Sequence, residues 1–418
     1  MTNKTANKMT YRRWFLPALA AFIFLPIVSL SSWDWGLLLD QTAGIESAPT
    51  AAEGFSYSGT LMPWYSTPLG ETGKLYLSAG ATMEYENESS FFVPQLLRTE
   101  LSFRLGEGSE LKAGRMLYTD PLGFIANGLF DGARFSLGLG DKGALGMGIW
   151  YTGLLYKRNA QITMTGEEYN SYSEALDYSD FTGSYFAPRR LVAALDWDNP
   201  YMSDSLRFKT ALLSQFDFSG SENLYHSQYL AAKISVPKGN FMFDIGACLE
   251  LAEISAEDTA NEIKLGLAGE LAAGWVTPSP IRDRLMLTCR LSNGTAEDGA
   301  LYAFVPITTE NQGDIIKAKL SGLSMIRLDY TARLNTNFLF SLADSYFILS
   351  DLASYRGLPE GRDGHLLGNE ICGKLMWSPV SDLRFDLGAG VFLPVMGNAD
   401  KNSDAIWRVE LNLIAMIF

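Results

Sequence analysis

The chain has little charge, few cysteines and almost no histidine. Charged residues make up 19% of its 418 positions, against 47% hydrophobic and 12% aromatic. That balance excludes intrinsic disorder, which needs the opposite composition. Only two histidines occur, His226 and His365. His226 is followed by Ser227, but neighbours on a strand face opposite sides, and His365 lies at the end of a loop after Asp363. No GxSxG, HExxH or P-loop context is present. Nothing therefore pairs a nucleophile with a base, no catalytic residue is assigned, and no enzyme or cofactor is expected. Cys248, Cys289 and Cys372 are scattered without CxxC or metal-ligand spacing. They read as free, buried thiols, with Cys289 on the opposite strand parity from the other two.

Long apolar runs and basic surplus are missing as well. After residue 30 no run approaches the ~18 residues of a spanning helix. The 33 bases face 47 acids, a net charge of −14, which speaks against nucleic acid as a partner.

What is present begins with an export signal. Lys4, Lys8, Arg12 and Arg13 precede the apolar stretch 14–30 and then Ser31-Ser32. Residues 1–31 read as a secretory signal peptide, with an uncleaved anchor as the alternative. Residues 32–418 then form one domain.

From Trp33 onward, apolar and polar residues alternate in segments of ~9–13 residues that break at Gly, Pro, Asp, Asn or Ser. In 262–275, Ile263, Leu265, Leu267, Leu271 and Trp275 take one face, and Glu262, Lys264 and Glu270 the other. Short turns such as 106–109 and 237–239 alternate with connections that are often long, notably 157–188, 293–322 and 350–365. The pattern predicts an all-β antiparallel transmembrane barrel of about eighteen strands, or sixteen if 33–64 lies outside the wall. Aromatics near strand ends (Tyr85, Tyr118, Trp150, Tyr151, Tyr156, Trp197, Phe216, Trp275, Trp377 and Trp407) suit an interfacial girdle. The segment 407–418 ends on Phe418, which resembles the insertion signal of bacterial outer-membrane proteins. That resemblance implies the outer membrane as location, its lipid as surroundings and the barrel-assembly machinery as a partner. Phe418 falls on the parity assigned to the lumen.

Two stretches resemble porin-like barrels of the alginate-export family. One runs from Gly114-Arg115 through Asp120-Pro121 to Asp131-Gly132-Ala133-Arg134; the other joins Leu367-Gly368-Asn369-Glu370 to Leu387-Gly388-Ala389-Gly390. The resemblance implies an eighteen-stranded barrel that passes or binds hydrophilic solutes in a charged lumen. It does not extend to alginate itself, because that exporter's arginine lining is not matched residue by residue.

By strand parity, the pore-lining candidates are Arg98, Glu100, Arg104, Lys112, Asp131, Arg134, Arg327, Asp329, Arg333 and Arg384. Arg115 joins them if a bulge at Gly114 turns it inward. Bases outnumber acids on the inward parity, which suits a porin-like channel for small, acidic, uronate-like solutes. Arg98, Arg104, Arg115 and Arg134 lie on neighbouring strands and form the expected anion patch. Arg98 with Glu100, Arg327 with Asp329, and Arg384 with Asp386 read equally as ladders that stiffen the wall, and a structural or adhesive barrel remains the alternative function. The loop 157–188, with Glu167, Glu168, Tyr169, Tyr172, Glu174, Asp177 and Tyr178, is the candidate gate, or else a surface loop.

Overall fold

A computed structural model describes residues 33–48, 51–86, 89–203, 205–220, 223–256, 259–296, 301–350, 364–399 and 403–418. The expected signal peptide, and most of the connection 350–365, lie outside the described residues.

The alternating segments become strands β1 (Asp34–Ala48), β2 (Ala51–Leu69), β3 (Gly73–Glu86), β4 (Ser89–Arg104), β5 (Ser109–Thr119) and β6 (Asn127–Gly138). They continue as β7 (Ala144–Tyr151), β8 (Arg190–Ser203), β9 (Leu206–Asp217), β10 (Asn223–Lys238), β11 (Phe241–Ala256) and β12 (Thr259–Val276). The last six are β13 (Arg284–Ser292), β14 (Leu323–Arg333), β15 (Phe338–Leu349), β16 (Leu366–Val380), β17 (Leu383–Leu393) and β18 (Ile406–Ile417). Each pairs antiparallel with its neighbours in sequence, and β1 pairs with both β2 and β18. The sheet is therefore a closed barrel of eighteen strands, and the sixteen-strand alternative falls. Closure satisfies backbone groups that would otherwise stand unpaired in lipid.

Period two decides the faces. Ile263, Leu267, Leu271 and Trp275 of β12 are exposed on the outer surface, while Ala268, Glu270 and Ala272 are buried inward. Rings stack on the outside near the short turns: Phe241 on Trp275 at 6.2 Å, and Phe338 and Phe385 on Trp377 at 6.0 and 5.2 Å. Tyr118, Trp150 and Tyr156 do not join that girdle. They are at most 4% exposed and pack inside, because loops cover them there. The thiols are free, but only Cys248 is buried; Cys289 and Cys372 are partly exposed. Phe418 stays on the lumen parity, its ring edge-on to Trp64 at 6.3 Å.

A core lies inside the barrel. The inward residues Tyr118, Phe130, Trp150, Leu213, Tyr229 and Cys248 of the wall pack against Leu122, Phe124 and Ile125 of the β5–β6 loop and Phe304, Ile307 and Leu320 of the β13–β14 loop. A barrel this wide cannot be filled by its own strands, so loops occupy part of the lumen.

Candidate functional site

Three connections fold inward and bond to one another. Asp120 gathers the β5–β6 loop by accepting from the backbone N–H groups of Leu122, Gly123, Ile125 and Ala126 at 2.8–3.0 Å. Ile307 and Thr308 of the β13–β14 loop then donate backbone N–H to the Ile125 carbonyl, at 2.8 and 3.1 Å. The same loop reaches the β7–β8 loop: Thr309 donates its backbone N–H to the Gln161 carbonyl at 2.7 Å, and the Lys319 ammonium donates to the Thr163 carbonyl at 3.1 Å.

Buried carboxylates fasten these loops to the wall. Glu250 on β11 accepts from the Val305 N–H and from the hydroxyls of Tyr225 and Tyr229. Glu370 on β16 accepts from the N–H groups of Asp314, Ile315 and Ile316 at 2.7–2.9 Å. Carboxylates accept several N–H bonds at once, which suits them to this role.

The β7–β8 loop is ordered and contains helices α1 (Lys157–Ala160) and α2 (Gly166–Ser173). Glu168, one of the candidate gate residues, is buried. Its side chain completes a capping box with Thr165 and receives the Arg190 guanidinium at 2.6 and 2.9 Å, and it is 8% exposed. Glu167 stands in the first turn of α2 and Glu174 caps its end. Tyr169 is exposed with the Lys319 ammonium 4.6 Å from its ring centre. Tyr172 is half-buried, and Asp177 accepts from Ser179 on the surface. Tyr178 bonds to the Phe92 backbone of β4, at 2.8 Å from its N–H.

The wall candidates divide into three groups. Arg98 pairs with Glu100 at 2.9 Å and lies 4.9 Å from the Tyr76 ring centre, while Lys112 bridges Glu100 and Glu110. Arg327 pairs with Asp329 and Asp314, and Arg384 with Asp386, at 2.8–2.9 Å. These are the ladders between residues two apart. Arg104 and Arg333, in contrast, are exposed and have no acid within 4 Å among the described residues.

Arg115 departs from expectation. No register shift occurs at Gly114, so no bulge turns the next residue inward. Gly114 sits at φ 109°, and a Cβ there would lie 2.1 Å from the Thr99 carbonyl. Arg115 keeps the opposite parity from Met116 and Tyr118 and is 5% exposed. It forks onto Asp131 at 2.8 and 2.7 Å and donates to the Leu96 and Leu154 carbonyls; Asp131, expected in the pore, shares this parity, opposite to the inward Phe130 and Arg134 of β6. Arg134 does face the lumen, but its fork is closed on Asp196 at 2.8 and 2.7 Å. The four-arginine patch is thus split.

Two recesses open from the lumen wall. One, of about 240 Å³, is lined by Arg134, Ser136, Asp196, Asp198 and Lys209. The other, of about 280 Å³, lies among Arg327, Lys374, Asp386, Arg408 and Glu410. Both mix signs. Strand periodicity does not reach Asp120, Lys157 or Glu310, which lie in loops; Thr165-x-x-Glu168 was the readable signal for α2.

No family model matches the chain, and no curated protein does. Solved structures match its fold over nearly the whole length. The outer-membrane protein OprD of Pseudomonas aeruginosa aligns with a TM-score of 0.59 at 14% identity, covering 92% of this chain and 93% of that one. OccK2 (OpdF) of Pseudomonas aeruginosa, solved in complex with glucuronate, aligns with a TM-score of 0.59 at 12% identity, covering 93% and 97%. OccK5 (OpdH) of the same organism gives 0.59 at 12%, covering 93% and 98%. Alginate export stays a resemblance of short motifs. The closed eighteen-stranded wall with an apolar outer face is the porin fold of outer-membrane proteins.

Proposed function

We propose that the barrel is a channel for small hydrophilic solutes that favours acidic ones, uronate sugars among them. One observation carries this reading: a set of inward acids is buried and used up in staples or ion pairs, while a set of inward bases near the short turns is exposed and unpaired. Among the described residues, Glu100, Glu250, Glu270, Glu370, Asp244 and Asp386 are all below 9% exposed and turned to staples or ion pairs. Lys74, Arg104, Arg207, Arg284 and Arg333 are exposed on the inward parity near the short turns, without an acid within 4 Å. A passing solute therefore meets cations more than carboxylates. Arginine offers a carboxylate a two-pronged contact that lysine does not. The β7–β8 loop, fixed by Arg190 and Tyr178, narrows the passage as a constriction. OccK2 was solved with glucuronate, which makes uronates the first solutes to test.

The test is planar-bilayer conductance of the purified barrel across a salt gradient, with glucuronate added as a blocker. Anion selectivity with block by glucuronate supports the reading. A barrel that inserts but does not conduct would be structural or adhesive, and cation selectivity would reverse the solute class.

A further inference from the structure

The recess of about 280 Å³ is organised around one bare position. Lys374 on β16 pairs in register with Gly388 on β17, and Gly388 pairs with Glu410 on β18. All three line the recess. Strands about 4.8 Å apart put the backbones of Lys374 and Glu410 about 10 Å from each other, with a glycine between them. The two make no ion pair with each other among the described residues: Lys374 stands 3.5 Å from Asp386, and Glu410 takes the Arg408 guanidinium at 2.7 Å. The slot thus has an ammonium on one side, a carboxylate on the other and backbone as its floor.

Packing does not account for this glycine. Gly390, two residues on, is required, because a Cβ there would lie 2.4 Å from the Cys372 sulfur. A Cβ at Gly388 would meet only the Glu410 carbonyl, at 3.9 Å. Its φ is not positive, and neither ladder shifts register there. Glycine inside a strand without a bulge marks close approach by a ligand or by another backbone, and no backbone from outside the ladder comes within 4 Å of that Cβ.

A second observation comes from Asp386. It lines the recess, is 2% exposed, and neither of its carboxylate oxygens accepts a hydrogen bond. Arg384 neutralises it at 2.9 Å, so the more distant Lys374, which is half-exposed, can turn to a solute without leaving Asp386 uncompensated. A buried acceptor left without a donor is costly. The other charges are spent on one another: Arg327 lies between Asp314 and Asp329 at 2.8 and 2.9 Å, and Arg408 lies on Glu410. The recess therefore has no surplus cation for an acidic solute. Its volume also falls below the about 300–1,000 Å³ of sites that take drug-sized ligands. A small, neutral solute rich in hydroxyls fits both facts, since a hydroxyl donates to a carboxylate and accepts from an ammonium.

We propose that this recess binds one neutral sugar ring. Its face lies over Gly388, one hydroxyl accepts from the Lys374 ammonium, and hydroxyls opposite donate to Glu410 and Asp386. The ligand belongs to a different class from the acidic solutes proposed for passage, so the site does not rest on the ion preference of the lumen.

The experiment uses the full barrel in lipid nanodiscs, with glucose, galactose and mannose in turn as probes, read by saturation-transfer NMR. At least one should bind, and methyl glucoside should displace it better than glucuronate does. Gly388→Leu, which fills the floor, should lower the signal at least ten-fold, and so should Lys374→Met combined with Glu410→Gln. Binding by none of the three sugars, or binding unchanged in Gly388→Leu, overturns the site. Displacement by glucuronate as complete as by methyl glucoside overturns the neutral class. Should Gly388→Leu fail to fold, the Lys374→Met, Glu410→Gln variant decides. Bilayer conductance of the same preparations reads the channel separately: a barrel that binds sugar without conducting refutes the channel alone.

Discussion

The unpaired bases near the short turns give a prediction with a calculable size. Changing Lys74, Arg104, Arg207, Arg284 and Arg333 together to Gln removes five exposed positive charges from that end of the lumen. Strands about 4.8 Å apart and tilted by about 40° place an eighteen-stranded wall about 18 Å from its axis, and a side-chain reach of about 7 Å leaves each charge about 11 Å away. In water one such charge contributes about 0.4 kcal/mol at the axis, and screening in 0.1 M salt reduces this to about 0.13 kcal/mol. Five charges then stabilise a monovalent anion by about 0.6 kcal/mol and destabilise a cation equally, so the permeability ratio changes about eight-fold. In 1 M salt, with a Debye length of about 3 Å, the effect vanishes. Reversal potentials at the two ionic strengths measure both numbers. An unchanged ratio at 0.1 M, or a change that persists at 1 M, would refute the assignment of selectivity to these residues.

Three further outcomes are expected. Arg115→Met should destabilise the barrel by about 1–3 kcal/mol, because it leaves the half-buried Asp131 and the Leu96 and Leu154 carbonyls without their partner; the loss is read as a lower temperature for the gel-mobility transition of the folded form, with ion selectivity unchanged. Phe124→Ala should cost about 3–5 kcal/mol in the loop core and widen the passage, raising single-channel conductance. Glu250→Gln weakens the fastening of the β13–β14 loop at Val305, Tyr225 and Tyr229, and should appear as added open-channel current noise; quiet channels would show that the loop core alone holds it.

Strand period made most of the wall legible. Alternation placed Ile263 and Leu267 outside and Glu270 inside, and residues two apart on one strand, such as Arg327 and Asp329, were bound to share a face. Two kinds of information were out of reach. Inward folding of 120–126 and 293–322 depends on Phe124, Phe304 and Ile307, isolated apolar residues in segments with no periodicity. Cross-chain partners such as Arg134 with Asp196, or Arg190 with Glu168, depend on register and loop path. Arg115 differs from its expected place for a third reason. It lies on the outward parity, and Gly114 makes no bulge; its positive φ instead permits close approach to Thr99.

The pairing of β1 with β18 has a kinetic consequence. Asn412 on β18 donates to Asp40 and Thr42 on β1 across a sequence separation of about 370 residues. Every other ladder joins consecutive strands, so it can zip locally while this one waits for all the rest. Until it forms, the sheet is an open ribbon whose two end strands offer unpaired backbone to any passing chain, and contacts so distant in sequence form slowly. The hazardous interval of assembly is therefore the one just before closure. Asp40→Ala together with Thr42→Ala should lengthen that interval, appearing as more aggregate, while barrels that do close lose only about 1 kcal/mol per bond removed.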